Sequence, residues 1–72
     1  MENILELLRD LFAEQADEHR IAASNERIWA KGAPNAETAA MHEDNVLMNM
    51  QLADIYENMA EDVLNIVEKY GN

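Results

Sequence analysis

Two long stretches free of helix breakers, joined by a single turn signal, constrain this chain more than anything else in it. Neither Gly nor Pro occurs between Asn3 and Lys31, or between Asn35 and Tyr70. Gly32 and Pro34 stand between them, and the only other breaker is Gly71. Gly and Pro are the residues that interrupt helices, so the chain is punctuated once. The spacing predicts helix 1 over residues 3–30, a turn over 31–34 and helix 2 over 35–70. A short link between long helices makes an antiparallel hairpin.

Local signals agree with this division. Asn3 is a candidate N-cap, with Glu6 three residues on completing a capping box. Ile4, Leu5, Leu8, Leu11 and Phe12 then repeat at helical spacing. Lys31 suits the negative end of the helix dipole, and Gly32 suits the position just past a helix end. Two starts are open for helix 2. Pro34 can occupy its first position, or Asn35 can cap it with Thr38 in the first turn. A turn centred near Ala33 pairs residues whose numbers sum to about 65, which places His19 level with Val46 and His42 level with Ala23.

The two helices distribute apolar residues differently. Helix 2 has one stripe at Met41, Met48, Leu52, Ile55, Met59, Val63, Ile66 and Tyr70. A second runs through Val46, Met50, Ala53, Tyr56, Ala60, Leu64 and Val67. That is more apolar surface than one partner helix covers. One stripe is expected to pack on helix 1 and the other on a second chain, through Met48, Leu52, Ile55, Met59, Val63 and Ile66, with Trp29 as an anchor or a cap beside the turn. Four exposed-length methionines also suit an adaptable core. The expected fold is therefore an all-α, antiparallel two-helix hairpin assembling into a homo-oligomeric bundle, dimeric and four-helical. In length and layout it resembles small dimeric helical regulators of the Rop kind, a resemblance of architecture that implies no functional residue.

Size and composition support assembly and narrow the chemistry. The chain has 72 residues and no Cys. So small a core rarely supplies more than about 3–5 kcal/mol without a staple, and disulfides are excluded, which leaves oligomerisation. Leu, Ile, Val and Phe make up 16 of the 72 residues, enough for order despite the charge. The 15 acidic and 5 basic side chains leave a formal charge of −10. Phosphate contacts need clustered Lys and Arg, so direct nucleic-acid binding and anionic membranes are disfavoured. The complementary partner is a basic protein surface. The acidic start Met1-Glu2-Asn3-Ile4 lacks the basic, apolar pattern of a signal peptide, no run is long enough to span a membrane, and the expected location is the cytoplasm.

The middle of helix 1 is its irregularity. Gln15, Glu18, His19, Ala22, Asn25 and Glu26 continue the core stripe, and a core row of this kind needs hydrogen-bond partners. Ala16, Ala22 and Ala23 permit close helix approach. Gln15, His19, Arg20, Asn25, Glu26 and Arg27 form a candidate ligand-binding set for a small molecule such as a nucleotide. Arg20 and Arg27, seven apart, share a face on which an anion could be met. His19 and His42 lie about 6 Å apart along the axis in the expected register, with Glu14, Glu18, Glu26 and Glu43 nearby as Zn, Mn or Fe ligands. Neither has the Glu-x-x-His spacing of helix-bundle iron sites, so no metal and no cofactor is assigned.

Catalytic sets are scarce. Ser24 is the only serine and Thr38 the only threonine, and no triad can be placed. Glu14-Gln15-Ala16-Asp17 and Gln51-Leu52-Ala53-Asp54 resemble in outline the paired carboxylate elements of the all-helical MazG-type nucleotide pyrophosphatases. That resemblance implies Mg binding by Glu14, Asp17 and Asp54 and nucleotide hydrolysis, but Gln51 stands where the family has Glu. The leading expectation is a non-enzymatic, acidic interaction or regulatory protein engaging a basic protein surface. An inhibitor of phage or mobile-element type fits these features.

Overall fold

The computed structural model describes residues 4–70. Among them the chain forms two helices, α1 (Ile4–Lys31) and α2 (Ala36–Tyr70), packed against each other, with no strand. α1 runs unbroken through Ser24 and Asn25. The proposed cap at Asn3 and the stop at Gly71 lie outside the described residues. No described helix is long and apolar enough to cross a membrane.

The turn takes the second of the two starts left open for helix 2, and the end of α1 closes without a left-handed glycine. The Gly32 N–H donates to the Ile28 carbonyl at 3.2 Å and the Ala33 N–H to the Ala30 carbonyl at 3.4 Å. The last turn of α1 therefore tightens from four-residue to three-residue spacing, a common way to satisfy terminal carbonyls. The φ angle of Gly32 is not positive, so no left-handed cap forms there. Asn35 is the N-cap of α2: its Oδ1 accepts the Thr38 N–H at 2.8 Å. Pro34 stays outside the helix, which corrects the reading that it opens α2.

That cap also sets the register. Phe12 faces Tyr56 with ring centroids 6.2 Å apart, His19 bonds Asn49 at 2.8 Å and Glu26 bonds His42 at 2.5 Å. The numbers in each pair sum to 68, not 65, because the turn centres one to two residues later than expected. His19 is level with Asn49 rather than Val46, and His42 with Glu26 rather than Ala23. By helix rise the two histidines are separated by seven residues, roughly 10 Å, so they do not share a site.

The inner pairs recur every seven residues, two helical turns. Between them run small residues: Ala16, Ala23 and Ala53 are 1%, 2% and 1% exposed, and Ala60 and Val46 are also buried. Alanines at the contact let two helix axes come close. The cost is a thin molecule. Its extents are 56 × 18 × 11 Å, and its radius of gyration is 16.3 Å, against about 11 Å for a compact domain of this length. Among the described residues no large side chain is fully buried.

Candidate functional site

The side chains next to the inner pairs divide the hairpin into two broad sides. One residue after an inner position lies about 100° round the helix in one direction, and one residue before it lies as far in the other. Arg20 follows His19 and Glu57 follows Tyr56, and these two meet at 2.6 Å. Arg27 follows Glu26 and Met50 follows Asn49, and these also meet, Nη2 to Sδ at 3.0 Å. Both contacts cross the helix pair on the same side, which carries most of its cations and is called here the charged side.

The opposite side is then composed of Leu11, Glu18 and Asn25 from α1 and Met48, Ile55 and Asp62 from α2. The residues three after each inner position join them: Leu8, Gln15, Ala22 and Trp29, with Asn45, Leu52, Met59 and Ile66. Six of the seven residues expected at a chain–chain contact thus fall together on one side. Met48 and Ile55 are 53% and 52% exposed; Met59, Ile66 and Trp29 are also exposed, and Leu52 is half-buried. Val63 differs. It is buried in the inner row of the hairpin itself, two turns beyond Tyr56, so it has no outward surface to offer.

The six residues expected to line a ligand pocket do not come together. Gln15, His19 and Glu26 are half-buried at or beside the inner row. Arg20 and Arg27 stand on the charged side, and Asn25 is exposed on the apolar side. Glu18, read as part of the core row, is also exposed.

The polar middle of α1 satisfies itself. His19 Nδ1 donates to Asn49 Oδ1, and the Asn49 amide nitrogen donates to the Asn45 carbonyl at 2.9 Å. The His19 ring stacks on Tyr56, with centroids 5.6 Å apart and planes 9° from parallel. His42 Nδ1 donates to Glu26 Oε2, with the Trp29 ring tilted against the imidazole at 5.9 Å. Among the described residues every buried side-chain nitrogen and oxygen has a partner. These groups therefore specify a register rather than wait for a ligand. Asn49 was the partner that sequence reasoning missed. The spacing of Asn45 and Asn49, one turn apart on α2, was the available signal.

The carboxylate elements do not converge either. Glu14, Asp17, Gln51 and Asp54 are all exposed, and Asp17 is held by Arg20 at 3.1 Å. Among the described residues no three His, Asp or Glu side chains form a group that could hold a metal ion.

On the charged side two depressions lie between the helices. The larger, about 430 Å³, is lined by Arg27, Lys31, Glu43 and the apolar Val46, Leu47 and Met50, with Ala30. The smaller, about 330 Å³, shares Arg27 and Met50 and adds Arg20, Ser24 and Asp54. Lys31, Leu47 and Met50 were not foreseen as site residues, because only the observed register brings them together. No known protein family matches this chain, and neither does any solved structure.

Proposed function

We propose that this chain is a non-catalytic interaction protein. Two copies close their apolar sides into a four-helix bundle, and the acidic outer surface engages a basic protein. The observation that carries this reading is the gathering of Met48, Ile55, Met59, Ile66, Leu11 and Trp29 on one side of the hairpin, all exposed.

The area supports a second copy. The chain exposes 5392 Å², whereas a compact monomer of this mass exposes about 4,500 Å². The excess is close to the roughly 800 Å² that each partner buries in a standard protein–protein contact. A pair of hairpins meeting on these sides also gives the architecture in which two-layered helices bury a shared core. Glu37, Asp44, Asp54, Glu61 and Glu68 make no ion pair within the chain among the described residues. They are free to meet cations of a partner, as an inhibitor of a basic protein would require.

Sedimentation equilibrium tests the assembly. The wild-type chain is expected at twice the monomer mass at tens of micromolar, and Ile55→Asp at the monomer mass, since a charge there would be buried in the contact. A wild-type monomer at that concentration overturns the bundle. Binding to a lysine-rich helical peptide, measured by calorimetry, should weaken steeply between 50 and 300 mM salt, conditions over which screening of surface charges grows. Binding that ignores salt overturns the acidic-surface reading.

A further inference from the structure

The larger depression on the charged side has the makings of a binding site for a small anion with an apolar body. Its cations are the point of departure. Acids outnumber bases three to one in this chain, 15 to 5, so every base has carboxylates to choose from. Arg9 takes Asp10 at 2.9 Å, and Arg20 takes both Asp17 and Glu57. Arg27, Lys31 and Lys69 take none among the described residues; Lys69 lies over the Tyr70 ring, whereas Arg27 and Lys31 line one depression together. Among the described residues the only side-chain partner of the Arg27 guanidinium is a thioether, Met50 Sδ, a weak acceptor. A guanidinium is built to grip a planar oxyanion through two parallel bonds, and here that fork is left without one.

Beside these cations the lining is apolar. Leu47 is 60% exposed and Met50 is also exposed. Val46 and Ala30 complete the apolar lining. A volume of about 430 Å³ falls within the range of roughly 300–1,000 Å³ occupied by small-molecule sites. Glu43 also lines the depression, so a singly charged head is accepted better than a dianion.

We propose that this groove binds a small amphiphilic monoanion. Its carboxylate is held by Arg27 and Lys31, and its apolar body lies on Leu47 and Met50. Arg27, which with Met50 lines both depressions, is the specificity-determining residue, because its planar guanidinium can grip a carboxylate through two parallel bonds. The site is on the side opposite the proposed bundle contact, so the two readings stand or fall separately.

Decanoate is a suitable probe, titrated below its micelle concentration into ¹⁵N-labelled full-length protein. Saturable shifts are expected at amides 27–31 and 43–50. Neutral decanol and apolar-free acetate should each bind at least about tenfold more weakly than decanoate, as should decanoate to Arg27→Gln, since each removes a charge-assisted bond or the apolar contact. Circular dichroism of Arg27→Gln should match the wild type, because the replaced guanidinium bonds only a sulfur. Ile55→Asp should bind decanoate like the wild type. Equal binding of decanol overturns the proposal. So does unchanged affinity in Arg27→Gln, and so do shifts centred on Ile55, Met59 and Ile66, which would place the chain on the apolar side.

Discussion

The hairpin is fastened by opposite chemistry at its two ends. At the open end the inner row is apolar: Leu5 and Phe12 on α1, Tyr56 and Val63 on α2. Toward the turn the same positions, seven and fourteen residues on, hold His19 with Asn49 and Glu26 with His42. The geometry repeats while the side chains change character. Chain connectivity explains why this is affordable. Glu26 and His42 are 16 residues apart, whereas Phe12 and Tyr56 are separated by 44, the difference of their numbers. Closing the longer loop costs about 1 kcal/mol more if each end closes independently. Near the turn a hydrogen bond worth about 1 kcal/mol is enough to hold two strands of chain already tethered. At the open end apolar burial in the inner row resists fraying, and chain ends of this kind are where local unfolding begins.

The strongest way to break this arrangement is to force the helices apart between the two ends. Ala53 is 1% exposed and lies between the His19–Asn49 and Phe12–Tyr56 pairs. Ala53→Leu adds three carbons at a position with no free space toward solvent, inside the helix contact. Overpacking of this kind costs about 3 kcal/mol, most of what a core this small supplies. Thermal denaturation followed by circular dichroism should show a loss of the cooperative transition. A melting curve like the wild type would mean that the alanine row does not set the helix spacing.

Phe12→Ala sharpens the contrast between the ends. Phe12 is half-buried against Tyr56, so its loss should cost about 2 kcal/mol, below the range for a fully buried ring. Hydrogen exchange should rise first at amides 5–12 and 56–67 while the turn end stays protected. Uniform acceleration along both helices would argue that the hairpin opens as one unit. Glu26→Ala is the companion change at the turn end. It leaves His42 without its carboxylate and should cost about 1–1.5 kcal/mol, read from urea denaturation at one fixed protein concentration. The fluorescence of the single tryptophan should respond as well, since Trp29 rests against His42.

The same contrast explains which parts of the molecule could be read in advance. Both helices and the turn follow from uninterrupted helical periodicity and a single cluster of breakers. The side on which Met48, Ile55, Met59 and Ile66 gather follows from their spacing. What could not be read was which residues of the stripe left to α1 carry the contact. Ranking by hydrophobicity favours the large residues, but the helices come together on the small ones: Ala53 and Ala60 turn inward and the methionines stay out. The polar middle was legible as needing partners, yet its partners depend on register, and register depended on which of Pro34 and Asn35 opens α2. A shift of three in the pairing sum moved His19 from Val46 to Asn49. The six residues grouped as one pocket all lie on α1, and helical geometry alone spreads them, with Arg20 and Arg27 on the charged side and Asn25 on the other.

The smallest effect tests the turn itself. Gly32 follows α1 with a φ that is not positive, so the left-handed conformation that favours glycine is absent. A Cβ built there would meet only the Ile28 carbonyl oxygen, at 3.8 Å, an ordinary contact. Gly32→Ala therefore has room and no backbone strain, and its main effect falls on the unfolded chain, which loses conformational freedom. A gain of about 0.5 kcal/mol is expected. Because the turn tethers the polar end directly, the gain should appear as slower exchange at amides 26–30 and 38–42 before any change at Phe12 and Tyr56. A loss of stability instead would mean that the turn samples a glycine-specific conformation in solution. The short link would then be less rigid than the Asn35 cap implies, and the polar pairs above it would be carrying more of the closure than their hydrogen bonds alone supply.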